Sequence, residues 1–100
     1  MFKLQDVISP EELAAFCKRN YIIKLSLFGS ALRDELRPDS DIDILVEFDK
    51  KHIPGLMDLA GMEIELSEII GRKVDLRTPD ELSRYFRHEV LSLAKVEYAS

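Results

Sequence analysis

Apolar positions along the chain fall into two rhythms. Leu13, Phe16 and Cys17 recur at helical spacing. The segment is opened by Ser9, whose hydroxyl can cap, by Pro10 at the first helical position, and by Glu12, which completes a capping box. The pattern then switches to alternation. "IIKLSLF" predicts a strand over 22–28, with Ile23, Leu25 and Leu27 on one face and Lys24, Ser26 and Phe28 on the other, and it stops at Gly29. "ALRDEL" has the composition of a short helical turn, ended by "RPDS".

A second alternating run over 42–48 sets Ile42, Ile44, Val46 and Phe48 against Asp43, Leu45 and Glu47, and Asp41 shares the side of Asp43. After the polar "DKKH" and a Pro-Gly break, Leu59, Met62, Leu66, Ile69 and Ile70 return to helical spacing, with Gly71 suited to the position after the helix. "KVDLR" predicts a third strand, Val74 and Leu76 facing one way and Lys73, Asp75 and Arg77 the other. Thr78, Pro79 and Glu81 repeat the capping arrangement of Ser9, Pro10 and Glu12. They predict a final helical region with a stripe through Leu82, Phe86, Val90, Leu93 and, imperfectly, Glu97. The fold class is α/β (α+β), and residues 1–100 are expected to form one domain without linker, repeat or low-complexity segment.

Composition narrows the function classes. With 46% apolar and 33% charged residues, the 100-residue chain has the make-up of a compact domain with a modest core. A net charge of -5, without a Lys/Arg cluster, argues against a general nucleic-acid surface, which depends on phosphate neutralisation. It leaves room for a nucleotide whose phosphates are carried by a divalent metal and by backbone N–H groups. The start, "MFKLQDVISPEEL", has no long apolar stretch, so neither a secretory signal nor a membrane association is expected, and the expected location is cytoplasmic. Cys17, the single cysteine, reads as a core residue. His52 and His88 lack a ligand-spaced companion and read as surface residues.

The candidate chemistry lies in three strand-borne acids. Asp41 and Asp43 stand two residues apart, and Asp75 lies on the face of the next strand opposite Val74 and Leu76. If the two strands are neighbours, the three carboxylates can converge. Grouped carboxylates resist ionisation unless a cation intervenes, and hard oxygen ligands of this kind suit Mg2+, usually completed by substrate phosphates. Two such ions form the clamp of polymerase-type phosphoryl chemistry. Gly29 lets backbone approach a ligand closely, and Ser30 adds a hydroxyl suited to phosphate oxygens. Read alone, Asp75 is also compatible with a charged sheet surface shared with Lys73 and Arg77.

"LFGSALRDELRPDSDIDILVEF" followed by "RKVDL" resembles the minimal nucleotidyltransferases of the DNA polymerase β-like superfamily, the small MntA-type proteins commonly paired with a HEPN-domain partner. The family pattern of a Gly-Ser turn, a short helix, Asp-x-Asp and a later strand Asp falls on Gly29, Ser30, Asp41, Asp43 and Asp75. The resemblance implies a mixed-sheet, palm-like domain in which Asp41, Asp43 and Asp75 are catalytic and hold metal, with Gly29, Ser30 and Arg33 on the nucleotide. It further implies two Mg2+ ions with bound nucleotide and ATP as donor. The implied activity is transfer of AMP to a tyrosine of a HEPN toxin, so that the protein acts as antitoxin. One departure stands at Asp34, where family members commonly have glycine after the arginine. It motivates an alternative, a catalytically impaired antitoxin or structural subunit that neutralises its partner by contact alone. Apolar residues outside the helical stripes predict where a partner docks, or where the chain self-associates without one: Ile53, Met57 and Ile64 in one segment, Tyr85, Leu91 and Tyr98 in the other.

Overall fold

A computed structural model describes residues 3–32 and 40–100, with Ser30 and Ala31 by their backbone only. Helix α1 spans Pro10–Arg19, and the Ser9 half of the expected capping box is present: the Glu12 N–H donates to Ser9 Oγ at 3.1 Å, while the Glu12 carboxylate meets the Ser9 hydroxyl. Strand β1 (Ile22–Leu27) leads through a 3-10 turn (Gly29–Leu32) toward strand β2 (Ile42–Phe48). Helix α2 (Leu56–Ile70) ends on Gly71, whose φ of 80° is the left-handed conformation that glycine adopts without a steric cost. Strand β3 (Val74–Arg77), a 3-10 turn (Pro79–Glu81), helix α3 (Arg84–Leu93) and strand β4 (Lys95–Ala99) complete the chain.

The sheet has the order β3-β2-β1-β4, with β2 and β3 parallel and the other pairs antiparallel. This is the mixed α/β arrangement expected from the sequence. Helices α1 and α2 cover one face. Leu13, Phe16 and Cys17 from α1 and Met62, Leu66 and Ile70 from α2 pack against Leu25, Leu27, Ile42, Ile44, Val46, Val74 and Leu76. The alternation in β2 and β3 therefore sends Asp43 and Asp75 to the face away from both helices.

Two expectations are corrected. Alternation sets Ile23 on one face with Leu25 and Leu27, but the register slips between Ile22 and Lys24 against β2, so Ile23 bulges outward and is 41% exposed while Ile22, Leu25 and Leu27 are buried. The final helix was expected to start at Thr78 and run through Glu97. Thr78 and Glu81 do form their capping box, but it closes only a 3-10 turn, and α3 starts afresh from Ser83, whose Oγ accepts from the Tyr85 N–H at 3.3 Å. Beyond Leu93 the chain becomes an edge strand, β4, with Glu97 as the extra residue of a bulge against β1. The Glu97 side chain turns inward beside Leu4, Ile8 and Leu13, and Lys95 Nζ lies 3.5 Å from its Oε1. A bulge and an inward-pointing charge are devices that discourage edge-to-edge strand addition.

The opposite edge is protected by α2. The Val74 N–H donates to Ser67 Oγ at 3.0 Å and the Leu76 N–H to Glu63 Oε2 at 2.8 Å, so side chains satisfy the outward donors of β3 and fix its height beside β2. Buried Cys17 is the core residue expected from the sequence. Burial pushes its thiol up from 9.0 to about 12, so the thiolate that reacts with alkylating reagents is suppressed at neutral pH. Iodoacetamide should label Cys17 only when the protein unfolds. Because the unfolded thiol ionises first, stability should decline as the pH rises from about 9 toward about 12. Rapid labelling of native protein at neutral pH would contradict this placement.

Candidate active site

The candidate site is built on the face of the β2–β3 pair that points away from α1 and α2, next to the turn that ends β1. In the parallel register Asp43 lies directly opposite Asp75, flanked by Ile42↔Val74 and Ile44↔Leu76. Neighbouring strands run about 4.8 Å apart, so the two carboxylates leave the same face at adjacent positions. Asp41 precedes β2 on that face. Just below Asp43, Leu45 and its cross-strand partner Ser26 are buried, giving the acidic end of the face a closed floor.

Gly29 and Asp43 are coupled more tightly than the sequence indicates. The Phe28 N–H donates to the Asp43 carbonyl at 3.1 Å, which brings the following turn across β2. Gly29 has a φ of 66°, and the Asp43 carboxylate occupies the space that a Cβ at position 29 would fill. Glycine is thus required twice, by its dihedral angle and by the carboxylate above it. Ser30 continues the 3-10 turn, whereas Arg33 and Asp34 lie outside the described residues.

The outer two acids have basic neighbours. Asp41 Oδ2 lies 3.8 Å from Lys73 Nζ, and Asp75 Oδ1 accepts from Arg77 Nε at 3.0 Å. Hydrogen bonding to Asp75, then its charge, pushes the Arg77 guanidinium further above its ordinary range, and Glu81 adds to the effect. The charged surface that the residues of β3 allowed is therefore formed by the same side chains that line the candidate site. Among the described residues no three His, Cys, Asp or Glu side chains stand close enough together to hold an ion. The further contact of Arg77 with Glu81 is not anticipated by the strand pattern, because it crosses from β3 into the turn that follows.

A cleft of about 510 Å³ lies at the other end of β1 and β2, lined by Tyr21, His52, Ile53, Met57 and Met62 among others. Tyr21 stacks there on His52 with ring centroids 3.9 Å apart. The candidate chemistry lies with the acids and the glycine turn, at the opposite end of these strands.

A palm-like mixed sheet with paired strand acids beside a Gly-Ser turn defines the nucleotidyltransferase class of fold. The family model of the nucleotidyltransferase domain matches residues 10–97, and the chain belongs to that family. A Methanocaldococcus jannaschii protein provisionally named a protein adenylyltransferase is 38% identical over 71 residues, 71% of this chain and 74% of its own length. The protein adenylyltransferase MntA of Thermococcus cleftensis is 42% identical over 53 residues, 53% of this chain and 52% of its own length. A solved structure provisionally described as a minimal nucleotidyltransferase superposes with a TM-score of 0.75 at 31% identity, covering 93% of this chain and 94% of that one. A Shewanella oneidensis complex of a tri-AMPylated HEPN toxin with its MNT antitoxin shares the fold, with a TM-score of 0.69 at 18% identity over 98% of this chain and 74% of that one.

Proposed function

We propose that the chain transfers AMP from ATP to a tyrosine hydroxyl of a HEPN-domain toxin and thereby acts as its antitoxin. The observation that carries this reading is the Asp43–Asp75 register pair beside the Gly29 turn. Support also comes from relatives named as protein adenylyltransferases and from a structural neighbour that is an MNT antitoxin bound to an AMPylated HEPN toxin.

In chemistry, though not in closeness, the donor set suits a hard divalent cation: every candidate ligand is a carboxylate oxygen, and Gly29 leaves the Asp43 carboxylate room at the turn. Asp41, Asp43 and Asp75 would hold Mg2+, which when bound supplies charge neutralisation for the triphosphate and eases deprotonation of the attacking hydroxyl. The protein's own groups do the rest. Gly29 and Ser30 bring backbone close to the triphosphate from the β1 side, so the α-phosphate is presented between the turn and the acids. Asp75, on the outer strand, receives the proton of the acceptor hydroxyl. As the acceptor oxygen bonds to the α-phosphorus, the bond to the bridging oxygen breaks and pyrophosphate leaves.

Recognition of the acceptor then falls to surfaces outside the site. No residue of α3 is buried among the described residues, and Tyr85, Phe86 and Leu93 stand 81%, 62% and 64% exposed. Ile53, Met57 and Ile64 are exposed as well. These two segments are the docking surfaces for the toxin. Mixing the protein with a co-encoded HEPN protein, Mg2+ and ATP should give a larger complex and an AMP adduct on a tyrosine of the HEPN chain, seen by size measurement and peptide mass. A complex that silences the toxin without any adduct would support the contact-only antitoxin instead.

A further inference from the structure

Among the described residues, Arg77 is the basic side chain most closely fixed beside the candidate site. Its Nε donates to Asp75 Oδ1 at 3.0 Å and its Nη2 faces Oδ2 at 3.5 Å, a forked contact that engages both oxygens. Its Nη1 reaches Glu81 Oε2 at 3.5 Å. Glu81 is itself anchored, because its Oε1 accepts from the Thr78 N–H at 3.3 Å and from the Thr78 hydroxyl at 3.2 Å. The guanidinium thus stands between one carboxylate of the site and a second carboxylate fixed to the adjoining turn. Lys73 is held more loosely, since its side chain is 77% exposed and its contact with Asp41 is 3.8 Å long.

A guanidinium fork and a divalent cation compete for the same lone pairs of a carboxylate. We propose that Arg77 is a positioning residue that sets the divalent-cation affinity of the site by occupying Asp75, and that Glu81 receives the guanidinium when a cation displaces it. The proposal rests on the reading of Asp75 as a metal ligand. Because Arg77 keeps a carboxylate partner after displacement, exchange does not leave a charge unpaired. Asp75 would be released only to a strongly bound cation.

Titration of Mn2+ into the purified full chain, followed by the free-ion electron paramagnetic resonance signal, tests this without turnover. Arg77→Gln should bind Mn2+ about three- to fivefold more tightly than the parent protein, the scale of a partly exposed ion pair. Arg77→Lys, which keeps the charge but loses the fork, should fall between the two. A simple field effect would leave Arg77→Lys at parental affinity and would overturn the proposal. Asp75→Asn should weaken binding and abolish any gain from Arg77→Gln in the double variant. If Asp75→Asn weakens Mn2+ binding but Arg77→Gln does not tighten it, the role of Arg77 is wrong while the metal reading survives. If Asp75→Asn leaves Mn2+ affinity unchanged, both are wrong.

Discussion

Asp43→Asn should reduce nucleotidyl transfer by about 10³-fold or more while the domain stays folded, because a metal-held charge contributes several kcal/mol of transition-state stabilisation and each 1.36 kcal/mol is tenfold in rate. Asp43 is central in the arrangement: it opposes Asp75 in register and lies over Gly29. Its strand is fixed by Ile42, Ile44 and Val46, all fully buried on the other face, so loss of the carboxylate charge leaves the core intact. Asparagine keeps the size and much of the hydrogen bonding. Without added metal, thermal stability should be unchanged or slightly higher, since repulsion among neighbouring carboxylates is relieved. Turnover with Mg2+ and ATP, read beside a thermal melt, checks both halves, and full activity in the variant would remove Asp43 from the metal site.

Gly29→Ala should be the most damaging small substitution. An alanine at a φ of 66° costs about 1–2 kcal/mol, and its Cβ would collide with the Asp43 carboxylate, adding about 1–3 kcal/mol of overpacking or forcing that carboxylate out of place. We expect a loss of about 2–5 kcal/mol in denaturant unfolding and of about 10²-fold or more in transfer. The two contributions separate in a double-mutant cycle. With Asp43→Ala in the background the collision is gone, and Gly29→Ala should then cost only the backbone part, about 1–2 kcal/mol. Equal costs in both backgrounds would show that the closeness of Gly29 and Asp43 carries no energetic weight.

Much of this was legible in the residues themselves. Alternation placed Ile42, Ile44 and Val46 against Asp43, and Val74 and Leu76 against Asp75, and burial follows that division. Ser9, Pro10 and Glu12 marked the start of α1, and Gly71 the end of α2, because capping chemistry is local. What was not legible is non-local. The bulge that turns Ile23 outward is set by pairing with β2. Strand β4 was read as the tail of a helix because Glu97 points inward from an edge strand, a placement that only its pairing with β1 reveals. The same holds within the candidate site: Gly29 read as a turn residue open to ligand, and only the fold shows which side chain stands over it. For Asp75 the sequence left a charged sheet surface and a metal ligand side by side. The structure shows the first as an ion pair with Arg77 and sets Asp75 opposite Asp43 in the strand register, and the metal role itself is a proposal.

The most direct measurement of the central claim is to incubate the protein with Mg2+ and ATP labelled at either the α- or the γ-phosphate, in the presence of a co-encoded HEPN protein. The account predicts that label from the α-phosphate becomes acid-stable on the HEPN chain, that label from the γ-phosphate leaves as pyrophosphate, and that neither occurs with Asp43→Asn. A HEPN chain that is bound and neutralised by the parent protein, yet takes up no α-label, would contradict it.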